Sequence, residues 1–223
     1  RIAGEEDYDT RSESISKVLN LQDPTDNNFQ KLGRKPTFVD PIIINLSPTK
    51  EIALSSFSEN DGNIKFEMLP GYGPMSTGWL SAENEEQTAG YLVMNDTAND
   101  KDGGITIASI TELFSEYFQS KAKQTFYSGT AALASIDSNE DKKINKEDAE
   151  WNNILIWFDN GDAVSDKEEL KSLSEFIDSI DLGSINTLSE QKPTWAKDNT
   201  ILRQLTASKN TTNYTMYDVG LRV

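Results

Sequence analysis

The 223-residue sequence contains no cysteine and no histidine. The usual ligands of zinc, haem and iron–sulfur clusters are therefore missing, as is the usual base of a catalytic triad. Disulfide bonds are excluded as a source of stability. No stretch approaches the roughly 20 apolar residues of a membrane span, and the first residues show no signal peptide. We therefore expect either export through another signal or a fragment of a longer chain.

Basic residues are also scarce, because 21 Lys and Arg stand against 37 Asp and Glu and leave a net charge of −16. Such a negative field argues against nucleic acid as a partner and against membrane insertion. It favours cation binding, since a bound cation relieves the repulsion among carboxylates. Hydrophobic residues make up 36% of the chain, which is enough for a core. The length suits one large domain with an appended segment.

The most informative stretch is the acidic segment Asp137–Asp148. Its oxygen-bearing side chains and one main-chain carbonyl follow the ligand spacing of an EF-hand-type calcium loop. Position 6 of the loop is Lys142, where such loops usually have glycine, and position 12 is an aspartate, as in dockerin-like loops. The alternative is a solvated acidic turn between two helices. The predicted Ca2+ ligands are Asp137, Asn139, Asp141, the carbonyl of Lys143, Asn145 and Asp148.

A second acidic loop follows the first and is one residue shorter than a standard calcium loop. It retains several oxygen side chains and a C-terminal glutamate, so we predict a second Ca2+ site. Paired loops stabilise each other through a shared helix, which here would span 146–158. A third candidate loop over 95–104 has a poorer ligand register, and its alternative is a flexible turn. The predicted ligands of the second site are Asp159, Asn160, Asp162, the carbonyl of Val164 and Glu169.

The apolar pattern predicts an α+β fold, in which small strands flank a helical core with EF-hand or dockerin-like calcium loops. Residues 1–37 are interpreted as a linker or the tail of a preceding region, and residues 38–223 as the calcium-binding module. Apolar stripes at helical spacing predict helices over 107–118, 131–136, 146–158 and 170–180. Apolar runs between turn signals predict strands over 42–46, 51–54, 64–69, 77–80, 90–94, 200–205 and 214–223.

Several short blocks of the sequence are informative when they are taken in order. They are Phe38–Leu46, Thr77–Ala82, Thr111–Phe114, Ala131–Asn139, Trp157–Asp159, Glu169–Leu173 and Met216–Val219. Together these blocks resemble the calcium-dependent self-processing module of secreted repeats-in-toxin (RTX) proteins. The resemblance spans residues 38–223. Its specificity comes from the agreement in order across many blocks, because no single block would be specific.

The resemblance implies that calcium folds the module and that the folded module breaks an Asp-Pro bond near its own N-terminus. Here that bond is Asp40–Pro41, with Asp40 as the nucleophile and new acyl end and Pro41 as the leaving group. The Asp40 carboxylate can attack its own main-chain carbonyl and close a five-membered anhydride, with proximity supplying much of the rate. Water or a Lys amine of another protein then opens the anhydride, the latter by forming an isopeptide bond.

Two stretches depart from the family, because 45–50 and 68–74 lack the carboxylates of its acidic loops. Asp-Pro is also a common turn dipeptide. The alternative function is therefore a structural calcium-binding module of an RTX adhesin or toxin, and a metal-free adhesin or toxin domain is a third reading. Whether the chain is an enzyme stays open, since its activity would be a single-turnover self-cleavage. The resemblance implies a secreted location or one on the bacterial cell surface.

Overall fold

The computed structural model describes residues 38–60, 62–95, 105–119, 124–188 and 193–223. The predicted linker or tail over 1–37 lies outside these residues, so its boundary with the module stays a prediction. The third candidate loop over 95–104 also lies outside them, apart from Asn95.

Strands dominate the described part of the chain, and most of them are short. The strands are β1 (Phe38–Val39), β2 (Ile42–Asn45), β3 (Leu54–Ser55), β4 (Lys65–Phe66), β5 (Met75–Ser76), β6 (Trp79–Leu80), β7 (Ala89–Met94), β8 (Lys143–Asn145), β9 (Ile154–Trp157), β10 (Leu170–Ser172), β11 (Ser179–Thr187), β12 (Thr200–Lys209) and β13 (Thr212–Arg222). Two short α-helices accompany them, α1 (Phe57–Asn60) and α2 (Gly129–Ala134).

Nine of these strands form one antiparallel sheet. Its order is β10-β9-β7-β2-β13-β12-β11-β8, and β1 pairs with the other end of β13. The long hairpin of β12 and β13 provides the most extensive pairing. Two small sheets, β3 with β6 and β4 with β5, lie outside the large one. The N-terminal strand β2 is therefore central, between β7 and the C-terminal strand β13.

Apolar residues cover both faces of the large sheet. Along β2, Ile43 packs in one core cluster while Ile42 and Ile44 pack in the other. On β9, Trp157 belongs to the first cluster and Ile156 to the second. Because successive side chains of a strand point to opposite faces, a strand buried on both faces becomes a continuous apolar run. These central strands therefore show no polar–apolar alternation.

The prediction of a helical core is wrong, and the described residues fold mainly as β-structure. Of the four predicted helices, only 131–136 is confirmed, by α2. The stretch 107–118 contains a single 3₁₀ turn, Ile110–Glu112. The other two predicted helices are replaced by 3₁₀ turns and by strands β9, β10 and the start of β11. Neither α-helix of the described ranges has the length and hydropathy that a membrane crossing requires.

The helical predictions failed because short buried apolar runs satisfy both periodicities. Ile154–Trp157 places apolar side chains at helical spacing with its neighbours, yet it is a strand with both faces buried. Periodicity alone cannot distinguish these cases in a run of four residues. The predicted strands were more reliable, since each of them overlaps an observed strand.

Candidate functional site

The Asp40–Pro41 bond lies in the short gap between β1 and β2. Both strands pair with β13 in a single register, so the gap also runs alongside that strand. Proline has no N–H to donate to a sheet ladder, which accounts for the interruption. The Pro41 carbonyl nevertheless accepts a hydrogen bond from Val219 N–H at 3.0 Å. Asp40 and Pro41 are both buried, so this Asp-Pro pair is part of the sheet rather than an exposed turn.

The Asp40 carboxyl group is held at both oxygens. Its Oδ1 accepts a hydrogen bond from Glu116 N–H at 3.0 Å, and its Oδ2 accepts one from Gly129 N–H at 3.3 Å. In return, the main-chain N–H of Asp40 donates to Glu116 Oε2 at 3.0 Å. Two carboxyl groups that are distant in sequence are thus brought against the same peptide. The orientation of the Asp40 side chain relative to its own main chain is fixed.

Gly129 allows the chain to pack closely at this point. A Cβ atom on this residue would lie 2.6 Å from the carbonyl oxygens of both Asp40 and Phe114. These neighbours are backbone atoms, which cannot move aside as a flexible side chain can. Gly129 opens α2, and Ser128 caps that helix by accepting a hydrogen bond from Ala131 N–H at 3.1 Å. A glycine at the helix start therefore brings an amide N–H to the Asp40 carboxyl.

Burial raises the pKa of Asp40 to about 8. A hydrogen bond with the Glu116 side chain and the negative charge of Glu116 add to this rise, while the N–H groups of Glu116 and Gly129 oppose it. Two carboxyl groups can hydrogen-bond to each other only through a proton. The raised pKa of Asp40 leaves that proton on the Asp40 carboxyl at neutral pH.

A third carboxyl group, that of Asp218 on β13, faces the same region. It is completely buried, and burial followed by the charge of Asp40 raises its pKa to about 7. Its Oδ2 accepts hydrogen bonds from Arg203 at 2.9 Å and from the hydroxyl of Thr130 at 3.2 Å. The guanidinium of Arg203 opposes the rise in the pKa of Asp218.

This arrangement has the atoms that an internal Asp-Pro cleavage requires. Closing the anhydride joins a side-chain oxygen of Asp40 to its own main-chain carbonyl carbon. The carbon–nitrogen bond to Pro41 then breaks, and the nitrogen takes up a proton. A carboxyl pair that shares one proton contains both the nucleophilic oxygen and that proton. No histidine or cysteine is needed at any step.

The first predicted calcium loop folds around its own acidic side chains. Asp137 accepts hydrogen bonds from the N–H groups of Asp141 at 3.3 Å and Lys142 at 2.9 Å. The buried carboxylate of Asp148 closes the loop, because it accepts from Ser138 N–H at 2.7 Å and Asn145 N–H at 2.9 Å. Carboxylate oxygens of both ends are thus directed toward the loop interior by its backbone.

Two residues of the first loop adopt the left-handed backbone conformation, Glu140 with φ 58° and Lys142 with φ 66°. Lys142 occupies the position at which EF-hand-type loops usually have glycine. The chain therefore makes the sharp turn with a residue that is strained in this conformation. Ile144, two residues later, is buried in β8 and pairs with Ile180 on β11, which fastens the loop to the large sheet.

The second predicted calcium loop is anchored by Asp159 and Glu169. Asp159 Oδ1 accepts hydrogen bonds from Trp79 Nε1–H at 2.9 Å and Gly161 N–H at 2.6 Å. Glu169 accepts from Trp157 Nε1–H at 3.1 Å and Asn160 N–H at 3.2 Å. Indole N–H groups from two strands of the core thus orient the carboxylates at both ends of the loop.

Asp159 provides the observation that fits a cation. The residue is 8% exposed, and its Oδ2 is buried without a hydrogen-bond partner. Burial raises the pKa of Asp159 to about 7, and the nearby carboxylates of Glu169 and Asp162 contribute to the rise. A hard divalent cation would satisfy the unpaired oxygen and offset this repulsion. Within the described ranges, however, no three acidic side chains already converge as a metal-binding group.

The remaining predicted ligands are more open to solvent. The Asp162 carboxylate accepts a hydrogen bond from Val164 N–H at 2.8 Å, and Val164 itself is 59% exposed. The side-chain oxygen Oδ1 of Asn145 accepts from Glu147 N–H, also at 2.8 Å. The helix that the two loops were predicted to share is absent, because a 3₁₀ turn and strand β9 occupy that stretch. An EF-hand-like helix–loop–helix unit is therefore the wrong description.

The sequence interpretation missed Glu116, Gly129, Arg203 and Asp218. Glu116 lies 76 residues from Asp40, and no local pattern links the two. Asp218 carried a usable signal, because it is an acidic residue within the apolar strand Met216–Leu221. A charged residue at a position that the apolar pattern predicts to be buried usually has a function or is paired with an opposite charge. The predicted ligands of the acidic loops, by contrast, are close to one another in sequence and follow a recognisable spacing.

Comparisons with known proteins support the resemblance to a module of RTX proteins. A family model described as the SPM domain matches residues 52–222. The chain is also 35% identical over 127 residues to the iron-regulated protein FrpA of Neisseria meningitidis serogroup C. That alignment covers 52% of this chain and 10% of FrpA. The chain therefore corresponds to a small part of that relative, and Asp40–Pro41 precedes the residues matched by the family model.

Proposed function

Because the chain belongs to the SPM domain family, we propose that it is a calcium-dependent module that breaks its own Asp40–Pro41 bond. It would form part of a secreted RTX-type toxin or adhesin and act outside the cell or at the bacterial cell surface. The observation that supports this function best is the buried Asp40 carboxyl group. It is hydrogen-bonded at both oxygens beside its own peptide bond, and burial raises its pKa to about 8.

Cleavage begins when an oxygen of the Asp40 carboxylate attacks the main-chain carbonyl carbon of the same residue. The bonds from Glu116 N–H and Gly129 N–H hold the side chain in place, so little entropy is lost in reaching this geometry. Glu116 takes up the proton of the Asp40 carboxyl as the attack begins and transfers it to the nitrogen of Pro41 as the carbon–nitrogen bond breaks. The products are a cyclic anhydride at Asp40 and a new N-terminal proline.

The anhydride then has two fates. Water opens it to give an ordinary C-terminal aspartate. A Lys amine of another protein opens it to give an isopeptide bond, with one proton released from the amine. Strands β1 and β2 pair with β13 on either side of the broken bond. The acyl end is therefore held within the sheet after cleavage, where burial slows the attack of water.

Calcium would bind in the two acidic loops and supply the energy that keeps the acidic module folded. The first site would use Asp137, Asn139, Asp141, the Lys143 carbonyl, Asn145 and Asp148. The second would use Asp159, Asn160, Asp162, the Val164 carbonyl and Glu169. Both loops adjoin strands of the large sheet that contains β2. Folding of the loops therefore favours the assembly of Asp40 with its partners.

The chemical part of this proposal is tested by Asp40→Asn, which preserves the shape of the side chain. We expect cleavage to be lost completely, because an amide cannot close the anhydride. Calcium-dependent folding, followed by tryptophan fluorescence, should remain. Glu86→Gln is a suitable control, since Glu86 is exposed. Fragments that appear at the unchanged rate in the Asp40→Asn variant would refute the assignment.

The calcium part is tested by the double variant Asp137→Ala and Asp159→Ala, which removes one anchor from each loop. Calcium should no longer change its fluorescence, and cleavage should fall with the loss of folding. The proposed switch is wrong if this variant cleaves at the full rate. A structural calcium-binding module is the rival function, and it predicts that calcium stabilises a chain that stays intact.

A further inference from the structure

Strand β13 contacts both sides of the bond that we propose to break. Val219 N–H donates to the Pro41 carbonyl on the leaving side at 3.0 Å. The preceding residue, Asp218, is paired with Ile42 in the antiparallel register. Its side chain lies near the Asp40 carboxyl, because the adjacent amides of Gly129 and Thr130 bind the two groups, and the charge of Asp40 is one cause of the raised pKa of Asp218. One dipeptide of β13 therefore fixes the leaving group and brings a carboxyl group to the nucleophile.

The start of α2 binds both carboxyl groups with neighbouring amides. Gly129 N–H donates to Asp40 Oδ2 at 3.3 Å, and Thr130 N–H donates to Asp218 Oδ2 at 3.4 Å. The second oxygen of Asp218, Oδ1, is buried and has no hydrogen-bond partner. A completely buried carboxyl group with an unpaired oxygen costs stability.

Among the residues that the structure describes, the charged and titratable groups around Asp40 come from three segments. Glu116 and Tyr117 lie on the segment after Leu113, Asp218 lies on β13, and Arg203 on β12 reaches Asp218. The contacts from α2 are the Gly129 amide at Asp40 and the Thr130 amide and hydroxyl at Asp218, which do not titrate. Arg203 is the cation paired with this group of carboxyls, and its side chain is 25% exposed.

We propose that Asp218 is a positioning residue for the self-cleavage, which acts by keeping the proton on the Asp40–Glu116 pair. This inference rests on the proposed function. The negative charge of Asp218, in a buried setting, favours retention of the shared proton that must reach the nitrogen of Pro41. Arg203 opposes this effect and limits it. Asp218 and Arg203 together set the upper pH limit of cleavage without contacting the reacting atoms.

The chain is well suited to a test of this idea, because it has no histidine or cysteine. Apart from the α-amino group, only perturbed carboxyl groups titrate between about pH 5.5 and 8.5. Three described carboxyl groups have pKa values raised into this range, those of Asp40, Asp159 and Asp218. Asp159 is the same in every variant compared below, so a difference between their upper limbs reports the carboxyl groups around Asp40.

The experiment is the pH–rate profile of calcium-induced cleavage, measured on the full chain. Asp218→Asn removes a negative charge, so the upper limb should move to lower pH by about one unit. Arg203→Gln removes the opposing positive charge, so the limb should move to higher pH. Arg203→Lys retains that charge and should restore the wild-type limb. Glu86→Gln, the same loss of charge at an exposed position, should leave it unchanged.

Opposite shifts of the two variants support the inference. If Asp218→Asn fails to fold with calcium, the comparison of Arg203→Gln with Arg203→Lys decides by itself. Variants that only scale the rate, with unchanged limbs, would overturn the role of Asp218. If the wild-type chain does not cleave, the proposed function fails. Carboxyl ¹³C NMR titration then tests the inference separately, since Asp218→Asn must lower the pKa of Asp40.

Discussion

Single residues determine whether the Asp40–Pro41 bond is a reaction centre or only a kink in a strand. The Asp40 carboxyl is bound by Glu116 N–H and Gly129 N–H and is nearly inaccessible to water. In an ordinary turn, an Asp-Pro side chain is solvated and free to rotate. In the proposed mechanism, immobilisation beside its own carbonyl carbon would convert a slow reaction of unfolded chains into a directed one.

A substitution of Glu116 tests the proton transfer to Pro41 independently of the nucleophilic attack by Asp40. Glu116→Gln keeps a hydrogen-bond acceptor for the Asp40 N–H but removes the acid. We expect the cleavage rate to fall by about 100-fold or more, while calcium-induced folding is retained because Glu116 is only half-buried. Rates come from the mass-resolved appearance of fragments. A Glu116→Gln chain that cleaves as fast as wild type would exclude Glu116 as the proton donor.

At the scale of the secondary-structure elements, strands attach both acidic loops to the large sheet that contains β2. The first loop is attached through β8 to β11, and the second adjoins β9, which lies two strands from β2 in the large sheet. Trp79 on β6 also binds Asp159, and its ring packs 4.7 Å from Tyr91 on β7, measured between ring centroids. The loops therefore depend on strands rather than on flanking helices.

The backbone of the first loop leads to a prediction at the level of this element. Lys142→Gly should relieve the left-handed strain and stabilise the folded chain by about 1 kcal/mol. In a domain of this size, that corresponds to a rise in Tm of about 2–4 °C, measured in calcium. Lys146→Gly is the matched control, because it removes the same charge from an exposed site in the same loop without a positive φ.

The control should be neutral or destabilising, since glycine there adds only backbone entropy. Equal effects of the two substitutions would mean that charge rather than backbone strain is responsible.

The sequence was sufficient for the strands, since they are marked by local patterns, while Asp40–Pro41 as the reacting bond stays a prediction. The sequence was misleading about the core, for which it predicted helices. Ile154–Trp157 and its neighbours have the apolar spacing of a helix, yet Ile154–Trp157 forms a strand that is buried on both faces. It was also insufficient for Glu116 and Asp218. These residues reach Asp40 only through the pairing of β2 with β13 and the return of the 113–119 segment, and no spacing in the sequence records such contacts.

At the scale of the whole molecule, the buried carboxyl groups make stability depend on pH in an unusual direction. The pKa values of Asp40, Asp159 and Asp218 are raised in the folded state, to about 8, about 7 and about 7. The folded chain therefore binds protons that the unfolded chain releases above about pH 4. By linkage, their contribution is complete below that pH and is lost as the pH rises through 7 and 8.

Without calcium, the Tm should therefore fall between about pH 5.5 and 8.5, by at least about 3 °C. The lowered pKa of Glu59, at about 2, acts only below this window. Differential scanning calorimetry in a chelator measures the effect. A Tm that is constant or rises across this range would show that Asp40, Asp159 and Asp218 are not protonated in the folded chain.

The central claim is tested most directly by the intact mass of the full chain, incubated at neutral pH with and without millimolar calcium. Self-cleavage predicts masses for residues 1–40 and 41–223 in calcium, and a single unbroken chain in chelator. A chain that stays whole in calcium, although its Tm rises, would contradict self-cleavage and leave a structural calcium-binding module.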